Sequence, residues 1–264
     1  MSKVVIITGG TSGIGLATAK TLAREGCRVY EFSRRDKGET QGVNHIRADV
    51  TKEDEVKAAV AQVMEREGRI DILINNAGFG ISGAIEFTPA AEAKKQFDVN
   101  FFGMVNMNLA VLPIMRTQGG GRIIDTSSVA APIAIPFQAY YSASKAAVRT
   151  YSLALANEVK PFGIEVLAIM PGDIHTGFTA AREKSCDGDD VYNGRISRSV
   201  AVMEHDETTG MTPDEAGAFI ADKALRRNPA PLYTIGGKYQ FFVFLTRIMS
   251  SRLLNTLVGK IYAK

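Results

Sequence analysis

An apolar run that breaks into glycines and then into a helix constrains the fold of this chain more than any other feature. Lys3-Val4-Val5-Ile6-Ile7 is short and β-branched, consistent with a buried parallel strand. It runs directly into Thr8-Gly9-Gly10-Thr11-Ser12-Gly13-Ile14-Gly15, and Leu16 to Glu25 then reads as a helix. A glycine turn between strand and helix lets the backbone approach a pyrophosphate, while the helix N-terminus supplies unpaired amides and a favourable dipole. The spacing is Gly-x-x-x-Gly-x-Gly, not the commoner Gly-x-Gly-x-x-Gly. The turn alone is equally compatible with plain turn chemistry. Its place after an N-terminal strand makes it a candidate dinucleotide cradle.

The rest of the chain alternates in the same way. Arg28 to Phe32 reads as a second strand, His45 to Ala48 as a third, and Asp54 to Glu67 as a helix. Ile70 to Ile74 is a fourth strand, Ala90 to Met115 a long helical stretch, and Arg122 to Thr126 a fifth strand. A helix over Tyr141 and Lys145 precedes a sixth strand, Ile164 to Met170. Strands alternating with helices predict an α/β fold, a doubly wound parallel sheet of Rossmann type with helices on both faces. With 264 residues, a single nucleotide-binding domain spanning 1–264 is the natural reading. Ligands in such sheets sit beyond the carboxyl ends of the strands.

A second constellation sits in the middle of the chain. Tyr141 and Lys145 stand one helical turn apart in Tyr141-Ser142-Ala143-Ser144-Lys145, downstream of Ser127-Ser128. Residues i and i+4 of a helix share a face. A phenol has a reference pKa of about 10, and an ammonium beside it favours the phenolate. The pair is therefore a candidate acid/base group, against the plain alternative of a surface lysine and a half-buried tyrosine.

Together these residues resemble the classical short-chain dehydrogenase/reductase family. Its signature motifs stand here as Thr8 to Gly15, Asn75-Asn76-Ala77-Gly78, Asn100, Ser128, and Tyr141 with Lys145, over about residues 3 to 235. Pro171-Gly172, with Ile174 and Thr176 after it, is similar to the family's nicotinamide-side loop. The resemblance implies a catalytic set of Asn100, Ser128, Tyr141 and Lys145. It implies a cofactor cradle of Gly9, Thr11, Ser12, Gly13, Ile14 and Gly15. Asn76, Ala77 and Gly78 would hold the cofactor by backbone contacts, and Asp49 and Val50 would border its adenine.

Cofactor choice turns on the end of the second strand. An NAD enzyme usually places an acid there, on the ribose 2′-hydroxyl. This chain has Ser33-Arg34-Arg35. A guanidinium is a planar fork of donors suited to a 2′-phosphate. The reading is NADP(H), in which the resemblance puts Ser33 and Arg34 on the phosphate and Arg35 beside them, against the plain alternative of two solvated arginines in a loop. Glu31 is discordant, because strand alternation puts it on the face of Ser33.

The resemblance also implies a mechanism. The nicotinamide brings hydride, Tyr141 the proton, and Ser128 a hydrogen bond to the carbonyl oxygen. Lys145 would lower the pKa of Tyr141 and hold the ribose, and Asn100 would interrupt its helix and anchor a proton-relaying water. Only Tyr141 stands four before Lys145, which leaves Tyr140 as a substrate or packing group. The family spacing of thirteen residues selects Ser128 over Ser127.

Apolar residues border the expected site. Phe79, Ile133, Phe137, Phe178 and Tyr140, with Ser128, are the candidate substrate contacts, and a hydrophobic ketone or alcohol suits them. Core or subunit packing would use the same residues. Residues 177–212 mix charge and glycine and read as a substrate lid. The tail, about 239–264, is apolar and in its later part amphipathic. It could close over substrate, dock on a second subunit, or lie on a membrane surface, and it resembles tails of family members acting on steroids and retinoids.

Composition removes several other classes. Three isolated histidines lack metal-ligand spacing, so no metal is expected. A net charge of +3 without a basic run gives no case for nucleic acid. No uninterrupted apolar span suggests a transmembrane helix. Two cysteines form no disulfide framework, and with a first strand at the N-terminus they suggest a cytoplasmic setting. The expectation is an NADP(H)-dependent reductase of a bulky hydrophobic ketone such as a hydroxysteroid, assembled as a homodimer or homotetramer. Alternatives are a reductase of 3-oxoacyl or small carbonyl substrates, and a non-catalytic nucleotide-sensing or lipid-surface protein.

Overall fold

Every residue of the first strand, β1 (Val4–Thr8), is buried, with Val4 and Ile6 in one apolar cluster and Val5 and Ile7 in another. A strand covered on both faces needs a helical layer on each side. The computed structural model, which describes residues 2–36, 38 and 40–263, has that arrangement. From β1 the chain passes through the glycine turn into α1 (Gly13–Arg24), β2 (Arg28–Ser33), β3 (Val43–Arg47), α2 (Glu53–Glu67) and β4 (Ile72–Asn75). A two-residue strand β5 (Ile81–Ser82), α3 (Ala90–Phe97), a π-helical turn (Asp98–Phe102) and α4 (Gly103–Thr117) follow, then β6 (Gly121–Thr126), α5 (Ala139–Glu158) and β7 (Ile164–Met170). The last part comprises α6 (Phe178–Ala181), β8 (Glu183–Lys184), α7 (Arg195–Thr208), α8 (Pro213–Leu225), β9 (Leu232–Thr234), α9 (Gly237–Ile248) and α10 (Ser251–Tyr262).

The main sheet runs β3-β2-β1-β4-β6-β7-β9, with every pair parallel. Strand order reverses between β1 and β4, the switch point at which such sheets open a crevice for ligand. Val56, Val60 and Val63 of α2, Met107, Val111 and Met115 of α4 and Leu155 of α5 cover one face. Leu22 of α1 and Ala216, Ile220 and Ala224 of α8 cover the other. Helices α1 and α8 touch so closely that a Cβ on Gly217 would lie 2.7 Å from Ala17. The expected single-domain, doubly wound architecture is therefore the one observed.

Several boundaries differ from expectation. The third strand begins at Val43, and the fourth at Ile72, because Ile70 precedes the ladder. A seventh strand, β9, has only three half-buried residues and no apolar run to announce it. The long helical stretch is broken by the π turn that contains Asn100, a geometry often found at functional sites. By length and composition residues 90–117 could cross a membrane. Met104, Met107, Val111 and Met115 are buried instead, with Met107, Val111 and Met115 in the core cluster.

Half of the segment 177–212 is helix, in α6 and α7. Its strand β8 pairs with β5, and Ile196 of α7 packs on Ala84 and Phe137. The tail forms two helices, each with one residue fully turned inward, Val243 and Val258.

Candidate active site

The glycine turn is fixed by its neighbours. Gly9 N donates to Phe32 O at 2.9 Å, which sets the turn beside the end of β2. Gly9 and Gly13 have φ of +66° and +53°, a region L side chains rarely adopt. A Cβ on Gly15 would lie 2.3 Å from Gly9 O, so no other residue fits there. The N-cap Ser12 makes no side-chain capping bond, and the first turn of α1 opens into a cleft. Unpaired amides, a helix dipole and room for close approach suit a pyrophosphate, so these residues fit a dinucleotide.

The cleft has a volume of about 290 Å3. It is lined by Gly9, Thr11, Ser12, Gly13 and Ile14 at one end and by Ser128, Tyr141, Lys145 and Phe178 at the other. Asn76, Ala77, Gly78, Phe79, Pro171, Gly172, Ile174 and Thr176 form walls between them. Thus most of the residues singled out from sequence meet in one cavity. Asn76 and Ala77 do more than border it. Both amides donate to Thr8 Oγ1 at 3.0 Å, and Asn76 Nδ2 donates to Thr8 O, tying the end of β4 to the glycine turn. Gly172 is required by Tyr239, whose ring would lie 2.1 Å from a Cβ there.

Ser128 hydrogen-bonds the Tyr141 hydroxyl. Ser127 is turned away, its hydroxyl donating to Lys145 O at 2.8 Å. Lys145 Nζ donates to Thr126 O at 2.8 Å and lies 5.8 Å from the centre of the Tyr141 ring. Burial pushes Tyr141 up to about 12, against the hydrogen bond from Ser128, and pushes Lys145 down to about 8, against the charge of Asp125. The net fall expected for the tyrosine is therefore not observed, because burial outweighs the neighbouring groups that would lower it. Desolvation dominates both groups, and the phenol is held protonated. Asn100 is 2 % exposed. Its Oδ1 accepts from Phe79 N at 3.0 Å, and its Nδ2 donates to Phe79 O and to Ser144 Oγ. It also borders a small cavity of about 10 Å3, with Thr126 and Asn75, close to the volume that admits one water.

Other expected contacts lie outside the cleft. Ser33, Arg34 and Arg35 stand at the end of β2, both arginines exposed, and the Ser33 hydroxyl donates to Arg35 O at 3.1 Å. Glu31, the discordant acid, is 3 % exposed and paired with His45 across the β2–β3 ladder. Asp49 Oδ1 accepts from Thr51 N and Oγ1, while Val50 packs on Gly103. Phe137 is turned away from the cleft with φ of +58°, and its ring meets Tyr192 at 5.5 Å. Tyr140 donates to Ile85 O at 3.4 Å and, like Ile133, is not part of the lining. Phe178 does face the site, its ring 5.7 Å from Tyr141.

Sequence reasoning missed three groups, Asp125, Asp173 and Glu207. Asp125, fully buried in β6, accepts from Asn75 Nδ2 at 2.8 Å and Ser152 Oγ at 2.7 Å, and burial raises it to about 6. An acid inside the apolar run Ile123-Ile124-Asp125 was its signal. Asp173 and Glu207 line the cleft. Glu207 is paired with Arg182 and accepts from Thr179 Oγ1 at 2.6 Å. Asp173 accepts from Tyr239 Oη at 2.5 Å. Ile135, not Ile133, supplies the apolar wall after Ser128.

Comparison with known proteins places this geometry. A family model described as short chain dehydrogenase matches residues 3–187. The chain is 43% identical over 229 residues to a 3-ketodihydrosphingosine reductase of Bacteroides thetaiotaomicron, covering 86% of this chain and 85% of that protein. A short-chain dehydrogenase structure from Streptomyces avermitilis is similar with a TM-score of 0.86 at 29% identity, covering 98% and 97% of the two chains. Two further structures carry nicotinamide cofactors of different kinds. One is a 3-ketoacyl-(acyl-carrier-protein) reductase from Brucella melitensis with NADH (TM-score 0.76, 26% identity, 90% and 98% coverage). The other is ElxO with NADP (TM-score 0.77, 25% identity, 91% and 100% coverage). The chain thus belongs to the short-chain dehydrogenase/reductase family and is an oxidoreductase acting on CH–OH and ketone groups.

Proposed function

We propose that this protein is an NADPH-dependent reductase of a long-chain or bulky lipid ketone, working at the cytoplasmic side of the cell. The observation that carries the reading is the cleft in which Tyr141 and Ser128 face Phe79, Ile135 and Phe178. The glycine turn, Gly78 and Lys145 would hold the dinucleotide along the floor, with Ser33 and Arg34 at its 2′-phosphate. When bound, that dinucleotide supplies the hydride for the carbonyl carbon. Ser128 donates a hydrogen bond to the carbonyl oxygen and stabilises its growing charge. Tyr141, protonated at neutral pH, passes its proton to that oxygen. Lys145 favours the phenolate left behind, and Asn100 fixes Phe79 and the turn of α5 that carries Ser144.

Within lipid ketones, two observations favour a sphingoid-like amino ketone over a hydroxysteroid. One is the similarity to the Bacteroides 3-ketodihydrosphingosine reductase. The other is charge, because the charged groups of the cleft lining are Lys145, Asp173 and Glu207. Carboxylates suit an amine beside the ketone, and among the described residues Lys145 is the one cation in that lining to meet an anionic substrate group. The test is NADPH and NADH oxidation with 3-ketodihydrosphingosine, its N-acetyl analogue, steroid ketones and 3-oxoacyl esters. Preferential NADPH turnover of the free amine, abolished in Tyr141→Phe, supports the reading. Turnover confined to 3-oxoacyl esters, or preference for NADH, overturns it.

A further inference from the structure

The two C-terminal helices carry an apolar stripe, and every charged residue within them is basic. Phe241, Phe244 and Ile248 of α9 and Leu253, Leu257 and Ile261 of α10 are each between 39% and 64% exposed. Their spacings put each set of three on one helix face, opposite the buried Val243 in α9 and flanked by the buried Val258 in α10. Residues 237–264 contain five of the 31 lysines and arginines of the chain and none of its 28 acids, which leaves 26 bases against 28 acids elsewhere. Lys238, Arg247, Arg252 and Lys260 are exposed, and none is held in an ion pair among the described residues.

We infer that this surface docks on an anionic lipid bilayer. Large apolar side chains flanked by cations are what an interfacial helix presents to headgroups and acyl chains. Each helix has 12 residues and is about 18 Å long, too short to cross about 30 Å of hydrocarbon, so both lie in the plane of the surface. A second copy is the poorer occupant. A two-fold interface sets a patch against itself, and here it would bring cations toward cations with no acid on either helix to answer them.

The placement also serves the site. Tyr239 of α9 donates to Asp173 in the cleft wall at 2.5 Å. Arg195 of α7 donates to Ala263 O at 2.8 Å, and Tyr262 of α10 to Asp206 at 3.4 Å. The lipid-facing helices are thus bonded to the wall and the segment that close the cleft, so an amphiphilic ketone can enter from the bilayer. That last step rests on the proposed lipid-ketone activity; the docking itself does not.

Flotation of the full chain with vesicles of phosphatidylcholine alone, or mixed with phosphatidylglycerol, tests the inference. Binding is expected only to the mixed vesicles. L253E/L257E should weaken it by more than about tenfold, and each of R252Q and K260Q by about fivefold. Phe241→Ser/Phe244→Ser repeats the test on the other helix should the first pair melt early. Binding to neither vesicle, or binding indifferent to all these changes, overturns the inference. So does a molar mass halved by L253E/L257E without flotation, which gives the surface to a second copy. Turnover of a water-soluble ketone, unchanged in L253E/L257E, separates the two readings: flotation without turnover of any ketone sinks only the activity.

Discussion

Asp125 and Lys145 oppose one another inside the protein, the buried carboxylate restoring part of the proton affinity that burial takes from the lysine. Asp125 is fully buried and Lys145 reaches only the cleft wall, and they come from β6 and α5, 20 positions apart. The lysine depends on that acid for its charge. Asp125→Asn should therefore lower the pKa of Lys145 below about 8, moving the alkaline limb of ketone reduction to lower pH. Ser152 can keep its donor bond to Val148 O at 2.8 Å and accept from the new amide, so the fold should tolerate the change. A kcat profile with an unmoved alkaline limb would show that Asp125 does not act through Lys145. The same carboxyl, raised from 3.8 to about 6, contributes stability that is fully present below 3.8 and lost as pH rises through about 6. Melting curves across that window should lose this slope in the variant.

The pH dependence of the two directions should differ. Tyr141, raised to about 12, stays protonated through the working range and can always donate. Lys145, lowered to about 8, loses its charge as pH rises through that value, and with it the support for the phenolate. Reduction should be level below about pH 7 and decline above about 8. Alcohol oxidation, which needs Tyr141 to accept a proton, should rise with pH instead. Paired steady-state profiles check this, and a reduction rate climbing above pH 8 would contradict it.

Arg34 offers a direct reading of cofactor preference. It is exposed at the end of β2, beyond the glycine turn. Loss of a charge-assisted bond to a 2′-phosphate costs about 1.5–3 kcal/mol. Arg34→Ser should then raise KM for NADPH by about ten- to a hundredfold and leave KM for NADH unchanged. An equal effect on both cofactors would remove the 2′-phosphate contact from Arg34.

Tyr239→Phe should loosen the tail from the cleft. The ring would still cover Gly172, but Asp173, mostly buried, would lose the donor at 2.5 Å. A buried acceptor left unpaired costs about 1–3 kcal/mol. Denaturant unfolding should register that loss, and burial should hold the Asp173 carboxyl still higher without the bond. An unchanged midpoint would mean that water replaces the tyrosine.

Some of this could be read along the chain because the information is local. The strand–glycine–helix opening, the alternation of apolar runs, and the i, i+4 pair of Tyr141 and Lys145 each lie within a few residues. What failed was whatever depended on neighbours far along the chain. Phe137 looked like a substrate contact because it follows Ser128, yet its positive φ swings the ring into the cluster with Tyr192. Strand β9 was invisible because three half-buried residues carry no period.

Sequence by itself determined the alternation of strands and helices, the parallel doubly wound class and the chemical character of the groups at the site, since those follow from periodicity and residue type. Tertiary structure decided their charge states. Tyr141 and Lys145 are drawn toward neutrality by desolvation, and Asp125, Asp173 and Glu207 reach them only through the packing of β6, the loop after β7 and α7. Burial and through-space charge are properties of the folded volume, and no stretch of chain carries them alone.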